Sequence, residues 1–178
     1  MSDFAQDFVA HLVQLRKGNS GAMAVLRRSL SFSPGAYPPA YPFVERFVPS
    51  KRHPQDARRL ALYVVAGLFA LHPVSADRSL SSSLGELMQR RESASIEKRF
   101  IALLGADPET LPVYLRQVIT LLAADDLGLD YARLLNDLSF YLNTWLDPEH
   151  RDRIRQRWAR DFYRALTQDA HSPTTTQE

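Results

Sequence analysis

Apolar residues recur every three to four positions along almost the whole chain, a period that commits the backbone to helices. Phe4, Phe8, Leu12 and Leu15 form one stripe, and Gly18 is placed to close that helix. Ser20 is a candidate cap for a second helix carrying Ala22, Val25, Leu26 and Leu30. A proline-rich loop follows, with Pro34, Pro38, Pro39, Pro42 and Pro49, and its Tyr37, Tyr41, Phe43 and Phe47 predict a wrap over a neighbouring surface. Pro54 suits the first turn of a helix reaching Leu71. The run from Leu60 to Leu71 is apolar on nearly all sides, which predicts a central, encased helix. It is well short of the roughly 20 residues that span a bilayer.

His72-Pro73 ends that helix, and a serine-rich link leads to Ser83-x-x-Glu86, which reads as a capping box before a short helix. Ser95 is the expected cap of a helix burying Ile96, Phe100, Leu103 and Leu104. Asp107-Pro108 starts a turn, and a longer helix after Pro112 buries Leu115, Val118, Ile119 and Leu122. Asp130 caps the next, with Leu134, Leu135, Leu138, Leu142 and Trp145 on its apolar stripe. Asp147-Pro148 opens the last helix. No strand pattern or internal repeat is present. The expected fold is all-α, a two-lobed helical bundle of roughly eight to nine helices. Residues 1–92 form the expected N-terminal lobe, 93–168 the C-terminal lobe and 169–178 a polar tail.

Charge is placed unevenly. Of 22 basic residues, 19 are Arg and 3 are Lys, and the net charge is only +2. From Arg16 to Arg59 nine bases face two acids, whereas from Asp107 to Asp137 two bases face six acids. Doublets recur at Arg16-Lys17, Arg27-Arg28, Lys51-Arg52, Arg58-Arg59, Arg90-Arg91 and Lys98-Arg99. Arg presents a planar fork of donors that matches phosphate, so such a chain is a candidate for gripping a nucleic-acid backbone. On a helical wheel Arg153, Arg157, Arg160 and Arg164 share one stripe opposite Ile154, Trp158 and Phe162. Glu149–Arg153 and Arg157–Asp161 have the (i, i+4) spacing of surface pairs. Arg151 and Arg155 point toward the apolar side, as if to line a groove or meet another chain. Lys98-Arg99 lies in the first turns of its helix, where the dipole disfavours cations.

Catalytic chemistry finds little support. There is no Cys, so disulfides, thiolate sites and Cys nucleophiles are excluded. His11, His53, His72, His150 and His171 are scattered without metal-binding spacing, and no glycine-rich phosphate loop is present. His150-Arg151-Asp152 has the letters of a kinase catalytic loop but lacks its downstream Asn. Asp125-Asp126 reads as a helix end in solvent. Of the aromatic residues, only Tyr37, Tyr41, Tyr63 and Tyr163 are candidates for base stacking. No cofactor or metal is expected. The first residues show no charged-then-apolar leader, and a cytoplasmic location is expected.

Several segments in order resemble a known family. They are Gly18-Asn19-Ser20-Gly21-Ala22 leading to Leu26-Arg27-Arg28, then Tyr63 to Pro73, Ser83-Leu84-Gly85, and Ile96-Glu97-Lys98-Arg99-Phe100. Tyr114-Leu115-Arg116-Gln117, Leu129 to Leu138, and Arg157-Trp158-Ala159-Arg160-Asp161-Phe162-Tyr163 follow. Together they resemble the CasB family, the small subunit of the type I-E CRISPR Cascade complex, from about Phe4 to Tyr163. The resemblance implies a helical, non-catalytic protein that sits in two copies on an RNA-guided complex. The implied contacts are the backbone and large subunits, guide RNA and unwound DNA. The implied role is to hold the R-loop open by binding the displaced non-target strand and steadying the target strand on the guide.

Carried over by motif, the expected nucleic-acid contacts are Arg27, Arg28, Lys98, Arg99 and Arg116. Arg155 and Arg157 fall near a basic cluster at the start of the last helix, and Lys51 and Arg52 join as a loop doublet. Two other readings of the same residues are a helical protein-interaction module and a DNA-binding regulator with no CRISPR role.

Overall fold

The computed structural model describes residues 3–50 and 53–167. Lys51, Arg52 and the expected tail at 169–178 lie outside the described residues. Nine α-helices are present among the described residues: α1 (Asp3–Gly18), α2 (Ser20–Ser29), α3 (Tyr41–Val44), α4 (Ala57–Leu71), α5 (Leu80–Arg91), α6 (Ala94–Gly105), α7 (Leu111–Ala124), α8 (Tyr131–Tyr141) and α9 (Pro148–Thr167). β-pairing there is limited to one isolated bridge between Ser75 and Leu129.

α4 is the axis of the molecule. Every residue from Ala61 to Ala70 is buried, which requires neighbours on all sides. α2, α7 and α8 supply them, with α1 and α3 closing the remainder. Gly67 permits the tightest of these crossings: a Cβ there would lie 2.6 Å from Leu30 Cδ2 and 3.2 Å from the Leu26 carbonyl oxygen. α5 packs along α9 through a second close approach, where a Cβ on Gly85 would fall on the Phe162 carbonyl oxygen and within 2.8 Å of Ala165 Cβ. Phe100 on α6 stacks on Phe162 of α9 at 4.1 Å between ring centroids. One connected apolar cluster therefore runs through both halves of the chain. The α4–α8 and α5–α9 packings cross the expected boundary near residue 92.

Two irregular links satisfy each other. The segment after α4 and the loop before α8 exchange Ala76 N–H to Leu129 O (3.1 Å), Leu129 N–H to Val74 O (3.3 Å) and Asp130 N–H to Arg78 O (2.8 Å). His72 Nε2 donates to Leu127 O at 2.7 Å, Ser83 Oγ to Gly128 O at 2.7 Å, and the Tyr131 hydroxyl to His72 O. Buried backbone groups need partners, and these loops find them in one another.

Helix starts differ from the expected ones in four places. Asn19, not Ser20, caps α2 by accepting from Ala22 N–H at 2.9 Å. α4 starts at Ala57 under Asp56, not at Pro54. Ser79 caps α5, and the expected capping-box Ser83 sits one turn inside, spent on Gly128. α6 starts at Ala94, so Ser95 is already helical and its hydroxyl meets Ser93 at 2.8 Å. In each case a competing polar side chain one to four residues away has the extended backbone that an N-cap needs or reaches the free N–H groups first. Asp130 and Asp147 are placed as the sequence predicts: Asp130 accepts from Arg133 N–H and Asp147 from Glu149 N–H, each at 2.9 Å.

The proline-rich segment forms a hook of short turns around α3, and Phe47 seats it between Phe4, Phe8 and His11. His11 Nε2 lies 2.8 Å from the Phe43 carbonyl oxygen, which can only accept, so Nε2 carries the proton. Nδ1 is then bare and accepts from the Arg46 guanidinium. Burial, with the Arg46 charge adding to it, holds the His11 pKa below 6.5 against the raising effect of the Phe43 bond.

Two expectations follow from this packing. Gly85→Ala puts a methyl onto the α9 backbone and should cost roughly 1–3 kcal/mol, a fall in Tm of roughly 3–10 °C; an unchanged melting curve would rule out the close approach. The depressed His11 pKa means the unfolded state takes up the proton first. Its contribution to stability is therefore full above 6.5 and is lost as pH falls below that value through the lower folded pKa. Protection factors at the hook amides, such as Val48, which correct for the intrinsic pH dependence of exchange, should fall on acidification through this window in the wild type and not in His11→Gln. Equal pH dependence in both proteins would remove His11 from the account.

Candidate nucleic-acid interface

The arginines divide by what they touch. Among the described residues eight are held in ion pairs: Arg59 with Glu45 (2.6 Å), Arg78 and Arg90 with Glu86, Arg91 with Asp125 (2.6 Å), Arg133 with Asp161 (2.8 Å), Arg153 with Glu149 (3.3 Å), Arg155 with Asp152 (3.0 Å) and Arg157 with Asp137. Arg28, Lys98, Arg99 and Arg116 are exposed and hold no ion pair or side-chain hydrogen bond among the described residues. Each projects from a helix whose apolar face is sunk in the core. For Lys98 and Arg99 the anchors are Ile96, Phe100 and Leu103 on α6; for Arg116 they are Leu115, Val118 and Ile119 on α7.

Arg27 and Arg28, adjacent on the last turn of α2, do different things. Arg27 Nε donates to the Ala70 carbonyl at 3.1 Å, where α4 ends and its carbonyls lack helical partners. Arg28 turns to solvent. Arg116 lines a cleft of about 290 Å³ between the start of α7 and the 29–35 turn that continues from Arg28, with Glu109 on the same wall. Lys98 and Arg99 stand on α6, the helix packed beside α7.

The first half of α9 is built differently. Arg155 Nε donates to the Tyr141 hydroxyl at 3.0 Å, and its terminal nitrogens reach the Ala106 carbonyl and Asp152, each at 3.0 Å. Burial alone lowers its pKa, but the Tyr141 and Asp152 contacts prevail and raise it, so the charge persists. Arg151 donates to the Tyr141 carbonyl at 3.3 Å. The groove expected for Arg151 and Arg155 is thus filled by the chain's own Tyr141, whose ring lies below both guanidinium groups. Arg157 pairs with Asp137 on α8 instead of Asp161, and Asp161 is taken by Arg133. Asp137 is buried and also receives Trp158 Nε1–H at 2.7 Å, which places it within reach of Arg157. Arg155 is therefore tied to α8 and to the residue that follows α6, and Arg157 is tied to α8 through one terminal nitrogen.

Lys17, Arg58, Arg160 and Arg164 are likewise exposed and hold no ion pair or side-chain hydrogen bond among the described residues. The α9 stripe was legible in the sequence. Which members stay free depends on where Asp137 and Asp161 lie, which only the helix packing shows. Of the four tyrosines considered for stacking, Tyr63 is buried with its hydroxyl on Glu45 at 2.6 Å, and Tyr163 donates to Glu97 at 2.8 Å. Among the described residues no group of three or more His, Asp or Glu is arranged to hold a metal ion, and no helix is long and apolar enough to cross a membrane.

The comparisons with known proteins meet this geometry. The family described as CRISPR-associated protein Cse2 matches residues 22–163. A CRISPR-associated protein Cse2 from Thermus thermophilus is 43% identical over 157 residues, covering 86% of this chain and 85% of its own. The crystal structure of CasB from Thermus thermophilus aligns with a TM-score of 0.74 at 40% identity, covering 89% of this chain and 97% of that one. CasB from M. ruber aligns with a TM-score of 0.75 at 32% identity, covering 94% and 96%. A chain of a CRISPR RNA-guided surveillance complex shares the fold with a TM-score of 0.79 at 23% identity, covering 94% and 96%. The chain belongs to the Cse2 (CasB) family of CRISPR-associated proteins.

Proposed function

We propose that the chain is a non-catalytic small subunit of an RNA-guided CRISPR surveillance complex and binds the sugar–phosphate backbones of opened DNA. In this reading it holds the displaced non-target strand and steadies the target strand on the guide RNA, stabilising the R-loop in antiviral defence. Its protein partners are the backbone and large subunits of Cascade and a second copy of itself, in the cytoplasm. The observation that carries this is the partition of charge. Among the described residues eight arginines are held in ion pairs, while Arg28, Lys98, Arg99 and Arg116 are anchored on core-packed helices and hold no ion pair there. Such cations neutralise phosphates without reading sequence, which suits a role where guide pairing reads the sequence. The likeness in fold to a chain of a surveillance complex supports the same assignment.

Arg27 shares its guanidinium between α4 and solvent, and Arg155 and Arg157 secure α9. Truncating any of these would disturb packing as well as charge. Lys51 and Arg52 keep their place in the proposal from sequence alone.

The test uses the reconstituted complex carrying Arg28→Ala/Lys98→Ala/Arg99→Ala/Arg116→Ala, four exposed positions whose loss leaves the core intact. Assembly and Tm should match the wild type while R-loop affinity falls, with the largest loss of affinity at low salt. The slope of log K against log salt should flatten by about 0.7 for each single-strand contact removed. Normal R-loops with this variant would mean that the four charges serve acidic partner proteins or solvent instead.

A further inference from the structure

Trp145 is 96% exposed, although the α8 stripe predicted it buried. α8 ends at Tyr141, and the Asn143 side chain then accepts the Trp145 amide at 3.0 Å. Asp147 pins the far side of the same turn by capping α9. The indole is therefore held out on a turn fixed at both ends. It borders a cleft of about 470 Å³ facing the segment that enters α4, with His53, Gln55 and Ala57 opposite. A second cleft of about 430 Å³ continues along α4 and α8 past Phe140, which is 51% exposed, and Arg58. The two share Asp56, Ala57 and Asn143, so they form one groove.

The charge along this groove is one-sided in what it leaves available. Arg58 is exposed and has no ion pair among the described residues. The acid on these walls is Asp56, and its carboxylate caps α4, accepting from Arg58 N–H at 3.0 Å and Arg59 N–H at 3.3 Å. The wall residue His53 follows directly on Lys51-Arg52 in the sequence. An open ring, amide groups and a free cation in one groove match the alternation of base face and phosphate in a single strand.

From this juxtaposition we infer that Trp145 stacks on an unpaired nucleobase while Arg58 takes an adjoining phosphate, so that single-stranded nucleic acid runs along the α4–α8 groove. The inference rests on the strand-binding reading above and adds to it a contact with the faces of bases.

The chain has two tryptophans, and the other, Trp158, is buried with its N–H on Asp137, so ligand quenching of fluorescence reports Trp145. The probe is a labelled oligothymidylate of about 20 nucleotides on the full-length protein, read by tryptophan quenching and by anisotropy of the label. Quenching that tracks binding is expected. Trp145→Ala should weaken binding roughly tenfold without changing the salt slope, because no charge is removed. Arg58→Ala should keep the quenching and flatten the slope by about 0.7. Trp145 is exposed, so its replacement should leave the melting curve unchanged. Binding by anisotropy with no quenching, and unaltered affinity of Trp145→Ala, would overturn the stacking inference and leave the strand-binding reading standing. No binding at low salt would count against both. Quenching by the other Cascade subunits in the absence of nucleic acid would assign the groove to a protein partner and also overturn the inference.

Discussion

Ten consecutive buried residues on α4 set the terms for everything else in this protein. A helix apolar all round cannot lie on a surface, so its neighbours must enclose it, and α2, α7 and α8 do. Gly67 lets α2 cross at a distance no side chain would allow. With α4 encased, the C-terminal helices have only its flanks to build on. α8 lies on α4, and α9 covers α8 and α5, with Gly85 opening the last close approach. The core is continuous because one helix is shared by both halves of the chain.

Polar groups inside that packing decide which cations remain available. Asp137 is buried between α8 and α9 and takes both Trp158 and Arg157. Tyr141, stacked on Trp158 at 5.8 Å, receives Arg155 on its hydroxyl and Arg151 on its carbonyl. Burying a charge is costly unless it is paired and hydrogen-bonded, so acids and arginines near the seam collect there. The arginines and lysines that escape this pairing lie on outer helix faces. The basic surface is thus the residue left after the fold has satisfied its own electrostatics, which is why it is spread over several helices, α2, α4, α6, α7 and α9 among them.

Much of the architecture was legible in the sequence because it rests on local rules. The 3.6-residue period locates the helices, the apolar run marks α4 as central, and Asp130 and Asp147 cap the helices they precede. Helix starts were less legible where several cap formers stand close together. Ser79, Ser81, Ser82 and Ser83 all have the chemistry of an N-cap, and the choice of Ser79 frees Ser83 to bond Gly128, 45 residues away. Trp145 misleads for a similar reason. It continues the α8 stripe on paper, but the helix stops at Tyr141 and Asn143 turns the chain.

The sequence by itself determined the helical class, the encased α4, the family motifs and the richness in arginine over lysine, since each follows from residue type and near-neighbour spacing. It also placed Arg27, Arg28, Lys98, Arg99 and Arg116 as candidates. Only the tertiary structure decided which of the charged residues are free. Arg27 and Arg28 are neighbours in sequence, yet one is tied to the end of α4 and the other is not. Arg157 and Arg160 share a stripe, yet only Arg157 finds Asp137. Pairing depends on distance between side chains from different helices, and that distance is set by packing, which no local pattern records.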